Sequence, residues 1–387
     1  MSFTRRSAAA AVVSVLFAAG LAGCTSDDDT TAGRTEVVIG ADLASGSAVD
    51  TAYARALQLM VEQINASGSL GDKQLVLRIQ DNRSDPTASL RNIGTLADDQ
   101  SVVAIVTGTC SECVVSASKT INDRKVPTIA LAPADRVATP VNERRYIFKI
   151  GPNSADSAAA MVAELGQQKF DKVAVLYSDD LYGQGGKDVL AKELDKAGIN
   201  TVGARSVKPT ATDITQTVGT LVDSAPDALL VLTGPDQAGL AATSAKAAGF
   251  AGRVYFDANA AGDMFIPVNA AAATDNTTMV FTQILAIDDV IATTPAKAAR
   301  KQWFRDYTSR YGSYSGVASF AADAAELIGQ GVAQVGGDRE GLRGVLETSQ
   351  IDGLSGPIRI TPDNHSGLMP QALTLLVARS GRWRLLS

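Results

Sequence analysis

Few residues in this chain suit covalent or metal chemistry, so their spacing is informative. There are 3 cysteines and 1 histidine. Cys110 and Cys113 stand C-x-x-C in "VTGTCSECVVSAS", between an apolar run and a helix-forming segment. Such a pair can exchange electrons, supply half a metal site, or close a local disulfide. A redox pair belongs on a thioredoxin-like unit, and nothing nearby repeats that pattern. Zinc needs about four ligands, and the one histidine, His365, lies far along the chain. A structural disulfide or inert thiols are the plainer reading for an exported chain in an oxidising milieu. The redox and metal readings stay open beside it.

Other catalytic arrangements find no support. There is no Gly-x-Ser-x-Gly elbow. His365 lies in a turn-like "DNHSG", which suits a Ser-His-Asp arrangement poorly. "GQGG" at Gly183–Gly186 lacks the Gly-Lys-Ser/Thr ending of a phosphate loop. No enzyme activity, cofactor or metal is expected. The net charge of -6 gives no basic footprint for nucleic acid.

The N-terminus reads as a sorting signal. Arg5 and Arg6 precede an apolar run, Ala8 to Ala22, that is short for a bilayer span. It ends in Leu21-Ala22-Gly23-Cys24, which resembles the lipobox of bacterial lipoproteins. That resemblance implies acylation of Cys24, a leader over 1–24 and an anchor to the cell membrane from outside the cytoplasm. Residues 25–35, with "TSDDDTTAGR", carry too little apolar surface to pack and read as a flexible tether.

The elements that must position any site follow. With 387 residues, 45% of them hydrophobic, and 34 glycines, the chain suits an α/β protein with two cores. "EVVIGADLA" reads as a strand, and Tyr53, Leu57, Met60, Val61 and Ile64 form a helical stripe. Asp85 and Pro86 mark a helix start. The strand–helix alternation resumes after Pro152, giving two sets of βαβ units and hence two doubly wound lobes. Ligands of such sheets bind at the carboxyl ends of the strands. The alternation breaks at three consecutive helices between Pro295 and Ser349, and "ALTLLVARSGRWRLL" reads as a hairpin.

This order resembles the type I periplasmic binding-protein fold, and more closely the leucine/isoleucine/valine-binding family of ABC transporters. The resemblance is carried by "ADLASG", "MVEQINASGSLGDKQLVLRIQDNRSDPTAS", "SDDLYGQGG", "AAGF", "SFAADAAELIGQGV" and "LSGPIRITPDNHS", and covers essentially everything after Arg34. It implies three crossings between lobes, near 150–153, 280–283 and 356–361. The first lobe would be 36–151 plus 282–357 and the second 152–281 plus 358–387.

The resemblance also implies a site between the lobes. "ADLASG" would bring Ser45. "GTCSEC" would present a helix N-terminus to a ligand carboxylate, with the hydroxyl of Ser111 or, one position off, Thr109. The backbone of Ala132 and Ala134 would face the ligand beside it. From the second lobe Tyr182 would close over the ligand, in the loop "SDDLYGQGG", Asp257 would receive an ammonium, and Asp236 would lie on a neighbouring loop. Related proteins can carry a disulfide from the first-lobe loop to the loop after the second strand. That loop here is "DNRSD", without cysteine, so a bond would join Cys110 to Cys113. Glu112 and the short "SGSAVD" loop depart from the family pattern. With Glu112, Asp50 and Asp236 turned inward, the pocket would be acidic.

The resulting expectation is a monomeric, lipid-anchored solute-binding protein. It would take a small molecule, an amino acid first, and hand it to ABC permease subunits. A ligand-sensing lipoprotein that signals to a membrane partner, and an exported thiol redox protein, are the alternatives.

Overall fold

The computed structural model describes residues 34–386. The leader and lipobox with Cys24, and nearly all of the expected tether, lie outside the described residues.

The first sheet arises from the first set of βαβ units. Its elements are β1 (Thr35–Leu43), α1 (Ala48–Ser67), β2 (Lys73–Asp81), α2 (Pro86–Asp98), β3 (Val102–Thr107), α3 (Ser111–Asp123), β4 (Thr128–Ala130) and β5 (Ile147–Lys149). The order is β2-β1-β3-β4-β5, with every pairing parallel. β1 and β3 are buried almost end to end, as strands covered on both faces must be. Ser47 caps α1, and Asp85, followed by Pro86, caps α2 by accepting the Ala88 N–H at 2.7 Å.

The second set repeats the plan: α4 (Ser154–Gln168), β6 (Lys172–Ser178), α5 (Leu181–Ala197), β7 (Asn200–Val207), α6 (Thr215–Val222), β8 (Ala228–Leu232), α7 (Pro235–Ala247), β9 (Arg253–Phe256), α8 (Val268–Thr274) and β10 (Thr278–Thr282). Its parallel strands run β10-β9-β8-β6-β7, the same winding as the first sheet. The chain reaches this lobe through 150–153.

After β10 the chain leaves the second sheet. α9 (Pro295–Tyr311), α10 (Ala318–Val335) and α11 (Arg339–Leu346) follow, and α10 packs on α1 and β3 of the first lobe. Arg339 holds α11 there by donating to the carbonyls of Ala97, Val102 and Asp99. A two-stranded ribbon follows, β11 (Gln350–Asp352) and β12 (Pro357–Arg359). The third crossing was expected at 356–361, where the structure has this ribbon. Ser366 then bridges Lys149 of β5, and the chain rejoins the second sheet only at Leu373. There β13 (Leu373–Arg379) and β14 (Arg382–Leu385) add an antiparallel hairpin beside β10. Its turn residues, Ser380 and Gly381, both have positive φ, the tight two-residue turn that matches strand twist. The fold is α/β, with parallel sheets in two lobes.

Candidate functional site

Both sheets change winding direction at their first strand, between β1 and β3 and between β6 and β8. Crevices at the carboxyl ends of strands form at such points. A cleft open to solvent lies between the lobes. Tyr53, Leu131 and Pro133 line it from the first lobe and Tyr182, Asp257 and Asn259 from the second. The crossing 151–154, Ser157, and Val317 and Phe320 at the α10 end complete it. None of its lining residues is a lysine, arginine or histidine.

Asp257 follows β9 and caps a short 3-10 turn, Ala258–Ala260, accepting the Asn259 N–H at 3.3 Å. It is 6% exposed and receives the hydroxyl of Tyr182. Burial pushes its pKa well above the ordinary carboxylate range, against the Asn259 N–H, and the nearby Asp180 carboxylate pushes the same way. A buried carboxyl without a cation partner is costly. Lys149 does not serve as that partner. Its fully buried ammonium donates to the carbonyls of Gly151 and Pro152 and to Asn153 Oδ1, at 3.2, 2.6 and 3.2 Å. It braces the crossing from behind, and burial pushes its pKa down against the pull of Asp135.

The first-lobe donors have partners of their own. Asp50, buried at the start of α1, accepts the Ala44 N–H at 2.7 Å and the Thr109 N–H at 2.9 Å. It thereby ties the loops after β1 and β3, and burial raises its pKa against those two bonds. A Cβ on Gly108 would run into this carboxylate, so any larger residue there would push Asp50 off its two N–H partners. Cys110 caps α3, its Sγ facing the Cys113 N–H at 3.2 Å, and is joined to Cys113 in a disulfide. The buried Ser111 hydroxyl accepts the Ala134 N–H at 3.2 Å. Glu112 accepts the Leu181 N–H of the opposite lobe at 2.8 Å.

Of the residues read from the sequence, Tyr182 and Asp257 line the cleft together. Thr109, Ser111, Ala132 and Ala134 gather around the α3 N-terminus without lining it. Ser45 is drawn away, its N–H and hydroxyl both held by Asp81, at 3.1 and 2.7 Å. Asp236 is exposed in the first turn of α7 and points to no partner in the cleft. Tyr182 is not in a loop but in the first turn of α5. The sequence reading missed Tyr53, Asn153, Ser157, Asn259 and Phe320. Tyr53 stands on the helical stripe of α1, whose pattern carries no mark of a site, and Asn259 lies two residues past Asp257, the nearest available signal. Among the described residues no group of three or more His, Cys, Asp or Glu could hold a metal. No described helix is long and apolar enough to cross a membrane.

Residues 38–382 match the model of the periplasmic binding protein family, and the chain belongs to that family. It is 28% identical over 153 residues to an amino acid binding protein of Pseudomonas aeruginosa, covering 39% of this chain and 40% of that one. It is 27% identical over 149 residues to a chemotactic signal transduction system substrate-binding protein of Halobacterium salinarum, covering 37% and 36%. The matched stretch thus spans less than half the length of these curated relatives. The fold is also that of an extracellular ligand-binding receptor from Rhodopseudomonas palustris HaA2, with TM-score 0.82 at 21% identity, covering 91% of this chain and 100% of that one. The fold is that of type I periplasmic binding proteins.

Proposed function

We propose that this member of the periplasmic binding protein family is the extracytoplasmic solute-binding component of an ABC importer. Its ligand is a small molecule with a protonated amine, amino acids being the first class to test. One observation carries this reading: the buried Asp257 carboxyl lines an interlobe cleft with no cation in its lining. An ammonium placed there would neutralise it. A ligand carboxylate would turn toward the α3 N-terminus, where Thr109, Ser111 and the Ala132–Ala134 turn gather. Leader removal and acylation at Cys24 would tether the monomer to the membrane beside its permease. Mass spectrometry of the native protein should then find a diacylglyceryl or triacylglyceryl cysteine at its N-terminus.

The test of the ligand is a thermal-shift screen of amino acids, amides, polyamines and aromatic acids. Amine-bearing compounds should raise the melting temperature. If only compounds without an amine do so, this reading fails. The likeness to a chemotactic substrate-binding protein favours a second reading, a ligand sensor that signals to a membrane partner. Uptake of the identified ligand in a strain lacking the gene separates the two, because a sensor's loss leaves transport intact.

A further inference from the structure

One contact between the lobes joins a helix start on each side and lies outside the ligand cleft. Glu112 stands in the first turn of α3, on the first lobe, and its Oε1 accepts the N–H of Leu181 at 2.8 Å. Leu181 opens α5, on the second lobe. Its N–H is one of the four that a helix start leaves without an internal partner. The cap of α5, Asp180, takes the Gly183 N–H at 2.7 Å instead. Glu112 therefore caps a helix of the opposite lobe, with its charge at the positive end of that helix dipole. The next contacts deepen the seam. Leu181 packs on, and Tyr182 is buried in, an apolar cluster otherwise built from first-lobe residues such as Ala134 and Val137. The Tyr182 hydroxyl continues to Asp257 in the cleft.

We infer that Glu112 is a positioning residue that latches the lobes shut from outside the ligand cleft, so that the ligand-free protein already holds a closed population. Glu112 is not among the residues lining the cleft. α3 and α5 belong to different lobes, so any opening about the crossings must break this contact. The inference rests on the reading of lobes that open and close, and not on the ligand's identity. The apparent affinity of a ligand that binds the closed form scales with the closed fraction. Loss of one charge-assisted bond shifts the closed-to-open ratio about tenfold. Glu112→Ala should then weaken every ligand by a common factor and keep their rank order, where a contact residue would reorder them.

The decisive measurement is the radius of gyration of the ligand-free full chain by small-angle scattering, for wild type, Glu112→Ala, Leu181→Pro and the double variant. Proline suits the first helical position and removes the N–H that Glu112 engages. It also removes the Leu181 side chain from the apolar seam, so Leu181→Ala, which keeps the N–H, is the control in which Glu112→Ala should still expand the protein. Asp180, at φ -148 and ψ 178, is already extended, as a residue before proline prefers. Glu112→Ala should expand the wild-type protein and leave the Leu181→Pro background unchanged. No expansion, or the same expansion in both backgrounds, overturns the latch. Should Leu181→Pro fail to fold, Glu112→Gln decides. It keeps an acceptor but loses the charge, and must fall between wild type and Glu112→Ala. Because no ligand is present, a wrong ligand class leaves this result untouched.

Discussion

Asp257 makes the cleft responsive to pH. Its folded-state pKa lies above the unfolded value because the carboxyl is buried. The sign follows: its contribution to ligand-free stability is full below the ordinary carboxylate pKa and is lost as pH rises through the raised one. Asp257→Asn removes that loss, so the ligand-free variant should melt higher than wild type at neutral pH. The same substitution should weaken an amine-bearing ligand about tenfold or more, since a charge-assisted bond disappears. A bound ammonium favours the ionised carboxyl, so binding should release a proton and tighten as pH rises toward neutral. Calorimetry in buffers of different ionisation enthalpy reads that proton directly. An uptake of protons, or none, would count against the ammonium. The cysteines answer differently. Cys110 and Cys113 close a very short loop, for which chain entropy gives about 2 kcal/mol. Replacing both by serine should therefore lower stability by no more than about that, and leave binding intact. Loss of binding would reopen a functional role for the pair.

Elements are held in register by single polar groups that local patterns do not reveal. Asp323, on α10, accepts the N–H of Leu354 at 2.7 Å, the N–H of Ser355 at 2.9 Å and the Ser355 hydroxyl at 2.5 Å. It pins the turn between β11 and β12 to the first lobe. Burial pushes its pKa up to about 6, against the bonds from Ser355 and Leu354. Asp323→Ala leaves buried donors unpaired and should cost about 2–4 kcal/mol in urea unfolding. Its folded pKa exceeds the unfolded one, so the loss should be larger at pH 5 than at pH 8. Equal losses would mean that the carboxyl is not protonated near neutrality. Strands, helices and turns with local causes were legible: the cap at Asp85, the stripe through Tyr53 and Leu57, and the Ser380–Gly381 turn. The start of α5 was not. The sequence pattern starts this helix at Gly185, in "GGKDVLAKELDKAG", whereas α5 opens at Leu181 and takes in Gly183, Gly185 and Gly186, although glycine weakens a helix. Two of them serve close packing. A Cβ on Gly183 would strike Ser178, and one on Gly186 would press Leu232 at 3.1 Å.

At the scale of the molecule, two sheets of the same winding order turn their strand ends toward one cleft, and the chain passes between them three times. The alternation of strands and helices made that plan readable, whereas Tyr182 and Asp257 entered only through the resemblance to the leucine/isoleucine/valine-binding family. Thr109, bonded to Asp50, and Leu181, bonded to Glu112, lie 59 and 69 residues away in sequence, and no spacing rule reaches them. Those partners bear on how the molecule moves. Tyr53 and Leu131 face the cleft from one lobe, and Tyr182 and Asp257 from the other. A ligand touching both sides binds the closed form better and must shift the population toward it. A latch across the lobes lessens the visible change, since part of the free protein is already shut. Saturating ligand should therefore reduce the radius of gyration, and reduce it more in Glu112→Ala than in wild type, both ending at the same closed value. Scattering with and without a ligand from the thermal screen measures all four states. Tight binding with no compaction in either protein would exclude closure about the crossings. Equal compaction in both would keep the hinge and remove the latch.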